Sequence, residues 1–146
     1  MTVPVAIADT SALLAIFNRR DMEHSACVKA RAQIGHLVIS PLVLAELDYL
    51  ISSRIGQHAA FTVLDHIMGK IDVKRYEVPE VSPHLRTARA LMSQYRSMDI
   101  GLTDAVNAAL AAEFRTDAVL TLDREHFRTI RPLTSHDHFR LLPDDL

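Results

Sequence analysis

Val5-Ala-Ile-Ala-Asp9-Thr-Ser11-Ala-Leu-Leu-Ala-Ile16 decides how the rest of the chain is read. Its apolar run breaks on a carboxylate and resumes at once with helical spacing. That pattern predicts a buried strand whose last residue is Asp9, followed by a helix from Ser11 to Phe17. In open α/β sheets ligands sit beyond the carboxyl ends of the strands, so a strand-end acid is a candidate for chemistry. Aspartate is also a good N-cap, and for Asp9 alone both readings stand.

Working outward, Met22 to Ile34 reads as a second helix that Gly35 terminates, and Leu37 to Ile39 as a brief buried strand. Ser40-Pro41 places an N-cap before a proline at the first helical position and opens a helix that stops at Gly56. A further helix is expected over roughly Ala59 to Met68, closed by Gly69, then a strand over Ile71 to Val78. Ser82-Pro83 repeats the cap-plus-proline signal for a helix to about Met98. Thr103 is read as the cap of an alanine-rich helix to about Arg115. Ala118 to Leu122 reads as a strand ending at Asp123, Arg124 to Phe127 as one helical turn, and Phe139 to Leu142 as a short last strand. Short strands alternating with longer helices predict an α/β fold in three α/β/α layers around a central, mostly parallel sheet.

The chain has 146 residues, the size of one domain with one sizeable core, so 1–146 is expected to be a single domain. No apolar run reaches the roughly 18 residues of a membrane span, and Asp9 interrupts the N-terminal apolar stretch before it resembles a signal peptide. A single cysteine, Cys27, rules out an internal disulfide and fits a reducing, cytoplasmic setting. It is read as a small packing residue. Formal net charge is −2, which does not mark a nucleic-acid binder and does not exclude one. Basic residues gather late, at Arg115, Arg124, Arg128, Arg131 and Arg140.

Three more acids stand in unusual places. On a helical wheel of the Pro41 to Gly56 segment Glu46 falls between Leu42 and Leu50 on the apolar stripe, and Asp48 falls outside it. An inward glutamate is costly unless paired or bound to a cation; Arg54, near the same stripe, is a candidate partner. Asp104 opens its helix where the macrodipole favours a carboxylate, and dipole complementation alone would explain it. Asp123 ends a strand as Asp9 does, with N-capping again the simpler alternative. If those two strands are parallel neighbours, their carboxylates lie roughly 5 Å apart. Each such pair repels by a few kcal/mol at an effective dielectric of about 20. A hard divalent cation removes that repulsion, and all-oxygen ligands point to Mg2+ or Mn2+ rather than zinc. His136-Asp-His138 lacks a third ligand at zinc-like spacing and reads as a polar loop.

Asp9-Thr-Ser11, Ser40-Pro-x-x-x-x-Glu46, Gly101-Leu-Thr-Asp104-Ala and Leu120-Thr-Leu-Asp123-Arg-x-His-Phe127 occur in this order. Together they resemble the PIN-domain ribonucleases, specifically the VapC toxins of bacterial VapBC toxin–antitoxin modules, over nearly the whole chain. The resemblance implies that Asp9, Glu46, Asp104 and Asp123 converge at one sheet edge to hold Mg2+ or Mn2+, with Ser11 beside the first acid. It implies RNA phosphodiester hydrolysis by a metal-activated water, a toxin that inhibits translation or growth, a cognate VapB-type antitoxin and a homodimer. Asp99 matches an acid before the Gly-Leu-x-Asp segment and is expected at most to support the ligands from behind; Asn107 is read either as a hydrogen-bond partner of a metal-bound water or, more simply, as an ordinary polar residue of its helix. Arg115, Arg124 and Arg128 are candidates for RNA contact, each equally readable as a solvated surface arginine. A phosphatase of similar architecture would want an acid where Ser11 stands; a non-catalytic binding module would show no metal-dependent activity.

Overall fold

The computed structural model describes residues 2–146. Five strands form one all-parallel sheet: β1 (Val3–Ala8), β2 (Ile34–Ile39), β3 (Tyr76–Glu77), β4 (Ala118–Leu120) and β5 (Arg140–Leu142), in the spatial order β3-β2-β1-β4-β5. The helices are α1 (Thr10–Phe17), α2 (His24–Ala32), α3 (Pro41–Arg54), α4 (Gln57–Asp72), α5 (Leu85–Gln94), α6 (Leu102–Glu113) and α7 (Arg124–Thr129), with 3-10 turns at Ser82–His84 and Arg96–Met98.

Strand periodicity divides the core in two. Ala6, Ala8, Leu37, Ile39, Ala118 and Leu120 face one layer, where they meet Leu13 and Ile16 of α1, Cys27 of α2, Val43, Leu47 and Ile51 of α3 and Ile67 of α4. Their alternates Ile7, Val38 and Val119 face the other, against Leu91 of α5, the alanine-rich face of α6, and Phe127 and Phe139. Both faces of the sheet are covered, which is why its strands read as nearly continuous apolar runs. The expected three-layer α/β/α fold is the observed one.

The chain leaves β1 to build β2 and β3 on one side, then returns to build β4 and β5 on the other. The carboxyl ends of β1 and β4 therefore flank the point where strand order reverses, the place at which open α/β sheets open a crevice.

Several boundaries differ from expectation. Gly35 lies inside β2 rather than ending a helix, because Ile34 already pairs with Val3. The α4 helix runs through Gly69 to Asp72: glycine on a helix's exposed face costs only about 1 kcal/mol, and Ile67 holds the segment to the core. The strand expected at Ile71–Val78 shrinks to Tyr76–Glu77, since the chain first turns through Lys74 at φ 61. Gly101, not Thr103, is the cap residue of α6. Among the described residues no helix is long and apolar enough to cross a membrane.

Candidate active site

Asp9 follows β1 directly, and its backbone N–H donates to the Leu120 carbonyl at 2.9 Å, continuing the β1–β4 ladder. Its backbone caps α1, but its side chain makes no capping bond. Instead Asp9 Oδ2 accepts from the Thr121 hydroxyl at 2.7 Å and the Ser11 hydroxyl at 3.2 Å. Those hydroxyls in turn accept from the other strand end: Asp123 N–H donates to Thr121 Oγ1 at 2.9 Å and Leu122 N–H to Ser11 Oγ at 3.0 Å. Two hydroxyls thus lace the end of β1 to the chain leaving β4 and fix the Asp9 carboxylate between them. Asp9 is 6% exposed, and burial raises its pKa, opposed by the Thr121, Thr10 and Ser11 hydrogen bonds and reinforced by the Asp123 charge.

In register Ala8 pairs with Leu120, so the residue opposite Asp9 is Thr121. Asp123 lies two residues further on, as the N-cap of α7, with Oδ1 accepting from His126 N–H at 3.1 Å. The capping reading of Asp123 therefore holds for one oxygen. Its other oxygen lies 2.8 Å from His126 Nδ1.

Asp104 enters from the other layer, on the first turn of α6. Burial, with the Asp9 and Asp123 charges, pushes its pKa up to about 6, against a lowering by His126 and with a further rise from Glu46. His126 Nδ1 stands 3.3 Å from Asp104 Oδ2, and His126 Nε2 donates to the Met98 carbonyl at 3.2 Å. Although desolvation lowers the His126 pKa, the Asp123 and Asp104 contacts outweigh it and the net direction is upward.

Glu46 requires a correction. The face of α3 that packs inward is Val43, Leu47 and Ile51, not Leu42 and Leu50, and Glu46 itself is exposed. It is not neutralised by Arg54, which is exposed and forms no ion pair with it. Glu46 nonetheless lines the same concavity, a pocket of about 350 Å3 walled by Asp9, Ser11, Glu46, Asp104 and Asp123 with the Gly101–Thr103 entry of α6.

The remaining expected residues lie outside this wall. Asn107, one turn along α6 from Asp104, is fully buried, and neither amide atom has a hydrogen-bond partner in the chain. Asp99 is exposed in a left-handed conformation at φ 53. Arg115 lines a separate concavity with Val3 and Ala118, at the opposite end of the sheet from the acids. Arg124 pairs with Asp144, and Arg128 forks onto both oxygens of Asp145 at 2.7 and 2.8 Å, so each is engaged by the chain's own C-terminal carboxylates.

Neither Thr121 nor His126 is singled out by the sequence alone. The i,i+3 spacing of Asp123 and His126 was a usable signal for the histidine; Thr121 becomes legible only once the β1–β4 register is known.

Four acids around one pocket, two of them also touching the His126 imidazole, form an oxygen-rich donor set whose mutual repulsion a divalent cation would relieve. Ligand atoms of Asp104, Asp123 and His126 all lie within 4.8 Å of one another, close enough for a single ion. By donor chemistry and spacing, the residues fit such an ion.

A PIN-domain family model matches residues 6–131. Ribonuclease VapC26 of Mycobacterium tuberculosis (strain ATCC 25618 / H37Rv) is 39% identical over 131 residues, covering 87% of this chain and 93% of the relative. Among solved structures, Mycobacterium tuberculosis VapC20, described as a Sarcin-Ricin loop cleaving toxin, superposes with a TM-score of 0.71 at 20% identity, over 83% of this chain and 91% of that one. VapBC2 from Rickettsia felis, bound to a DNA fragment from their promoter, superposes with a TM-score of 0.64 at 20% identity, over 89% of this chain and 96% of the other.

Proposed function

This chain belongs to the PIN-domain family, in its VapC group, and on that premise we propose that it is a divalent-metal-dependent endoribonuclease, the toxin of a type II toxin–antitoxin pair. The observation that carries the reading is the gathering of Asp9, Glu46, Asp104 and Asp123, from four separate segments, around one pocket at the β1/β4 switch point. Asp9, Asp104 and Asp123, with Glu46 at the rim, are the residues that would hold Mg2+ or Mn2+. When bound, such an ion neutralises charge on a phosphodiester and acidifies water.

The chain's own residues set the stage for that chemistry. Thr121 and Ser11 hold the Asp9 carboxylate in one orientation, so little reorganisation is needed when substrate arrives. Asp104 lies partly shielded from solvent at 18% side-chain exposure, where its charge acts through a lower effective dielectric than at the surface. Glu46, exposed on α3, reaches the pocket from the solvent side and is free to reorient as a phosphate enters. No side-chain nucleophile is required: Cys27 is buried in the core, and burial, with the Glu23 and Asp21 charges, pushes its thiol up to about 11.

RNA as substrate is supported by the ribonuclease name of the M. tuberculosis relative and the loop-cleaving description of VapC20. A VapB-type antitoxin as partner is supported by the Rickettsia VapBC2 assembly. We extend these to a homodimeric, cytoplasmic toxin that arrests translation or growth. The test is cleavage of total cellular RNA by the purified chain with Mg2+ or Mn2+, with end mapping of the products. Cleavage is expected to vanish in EDTA and in Asp9→Asn and Asp104→Asn; undiminished cleavage by both variants rejects the assignment.

A further inference from the structure

We propose that His126 is a nitrogen ligand of the metal site, completing an Asp104–Asp123–His126 set that favours Mn2+ over Mg2+. The inference rests on the metal-dependent reading above and extends it to a residue with no assigned role.

The two ends of the His126 imidazole face different partners. Nε2 faces the Met98 carbonyl, which can only accept, so Nε2 carries a hydrogen. That leaves Nδ1 facing Asp123 Oδ2 at 2.8 Å and Asp104 Oδ2 at 3.3 Å. A nitrogen lone pair and two carboxylate oxygens cannot share that space without a positive centre among them. Either a proton on Nδ1 supplies it, or a metal ion does, the proton passing to water as the ion takes its place.

The geometry suits the ion. Neighbouring ligand atoms of an octahedral site with bonds of about 2.1 Å lie about 3.0 Å apart. The two contacts of Nδ1 bracket that edge. The carbonyl behind Nε2 is the outer partner that a ligating histidine ordinarily has, fixing its tautomer and its ring plane. Asp123, the N-cap of α7, and His126 within it share the i,i+3 spacing by which carboxylate-rich bundles pair an acid with a histidine around iron and manganese, although there both residues lie inside the helix. Mg2+ keeps to oxygen ligands and its own waters, whereas Mn2+ accepts an imidazole beside carboxylates.

The test uses Mn2+ or Mg2+ alone, added to the metal-free full chain without RNA. Pulsed EPR of bound Mn2+ should show modulation from a directly coordinated 14N, and that modulation should disappear in His126→Ala and in His126→Gln. In the same variants Mn2+ affinity should fall about tenfold or more while Mg2+ affinity changes less than about threefold. Mn2+ that binds the wild type without nitrogen modulation overturns nitrogen ligation and leaves the metal-dependent reading standing. So does modulation that persists in the variants, or tighter binding of both ions after the histidine is removed, the behaviour of a mere counter-charge. Failure of the wild type to bind either ion overturns both.

Discussion

Asp104→Asn should stabilise the metal-free protein at alkaline pH, although it removes an acid from the centre of the pocket. The folded-state pKa of Asp104 is raised from 3.8 to about 6 by burial and by Asp9 and Asp123. Between those values the folded chain holds a proton that the unfolded chain has lost. The side chain's contribution to stability is thus most favourable below about pH 4, declines as pH rises through 6, and stays unfavourable above it. A rise of that size corresponds to roughly 3 kcal/mol at most. Partial exposure and solvent screening reduce it to about 1–2 kcal/mol. Asparagine keeps the shape and loses the charge. In EDTA, urea unfolding should place Asp104→Asn about 1–2 kcal/mol above wild type at pH 8, roughly 2–8 °C in Tm, with the gap closing toward pH 4.5. Saturating Mn2+ should reverse the order, because an ion at 100 times its Kd adds about 2.7 kcal/mol to the chain that binds it. A variant less stable than wild type at pH 8 in EDTA, or a gap that does not vary with pH, refutes the account of crowded charge.

Thr121→Val removes the hydroxyl that donates to Asp9 and accepts from Asp123 N–H, leaving both groups short of a partner; urea denaturation at pH 7 should show a loss of about 1–3 kcal/mol. A change within about 0.5 kcal/mol would show that the lacing carries no energy. Asn107→Leu replaces a fully buried amide without a partner in the chain by an apolar group of similar size and should raise stability by about 1 kcal/mol; marked destabilisation in the same assay would count against it. Arg128→Ala, which breaks an exposed fork to Asp145, should cost at most about 1 kcal/mol while protease cleavage near the C-terminus accelerates. Unchanged proteolysis would mean that the fork does not hold the tail.

The elements most legible in the sequence were those in which local signals and tertiary burial agree. The apolar run before Asp9 is β1, and Ser40-Pro41 opens α3 with Ser40 Oγ accepting from Leu42 N–H at 3.2 Å. Glu46 shows where such reasoning loses its grip. Apolar residues occur nearly all round α3, so spacing alone does not fix which stripe turns inward, and tertiary packing chose Val43, Leu47 and Ile51. The strand expected at Ile71–Val78 failed for a related reason: Ile71 at the end of α4 and Val73 at its C-cap are solvent-exposed, yet their spacing carries the same alternation as a half-buried strand. The strands before Asp9 and Asp123 are indeed parallel neighbours, but β4 stops at Leu120 rather than running to Asp123, and that offset hid Thr121, since hydrogen-bond register is a property of the paired strands and not of either alone.

The hydroxyl lacing between β1 and β4 joins residues 11 and 122, 111 positions apart, and the acids around it span Asp9 to Asp123. Synthesis proceeds from the N-terminus, and pairings this distant in sequence wait for their second half. A nascent chain can build β1, β2 and the helices beside them long before it can close the pocket. On the nuclease reading, the machinery making this protein is spared its action until the segment carrying Thr121 and Asp123 has emerged.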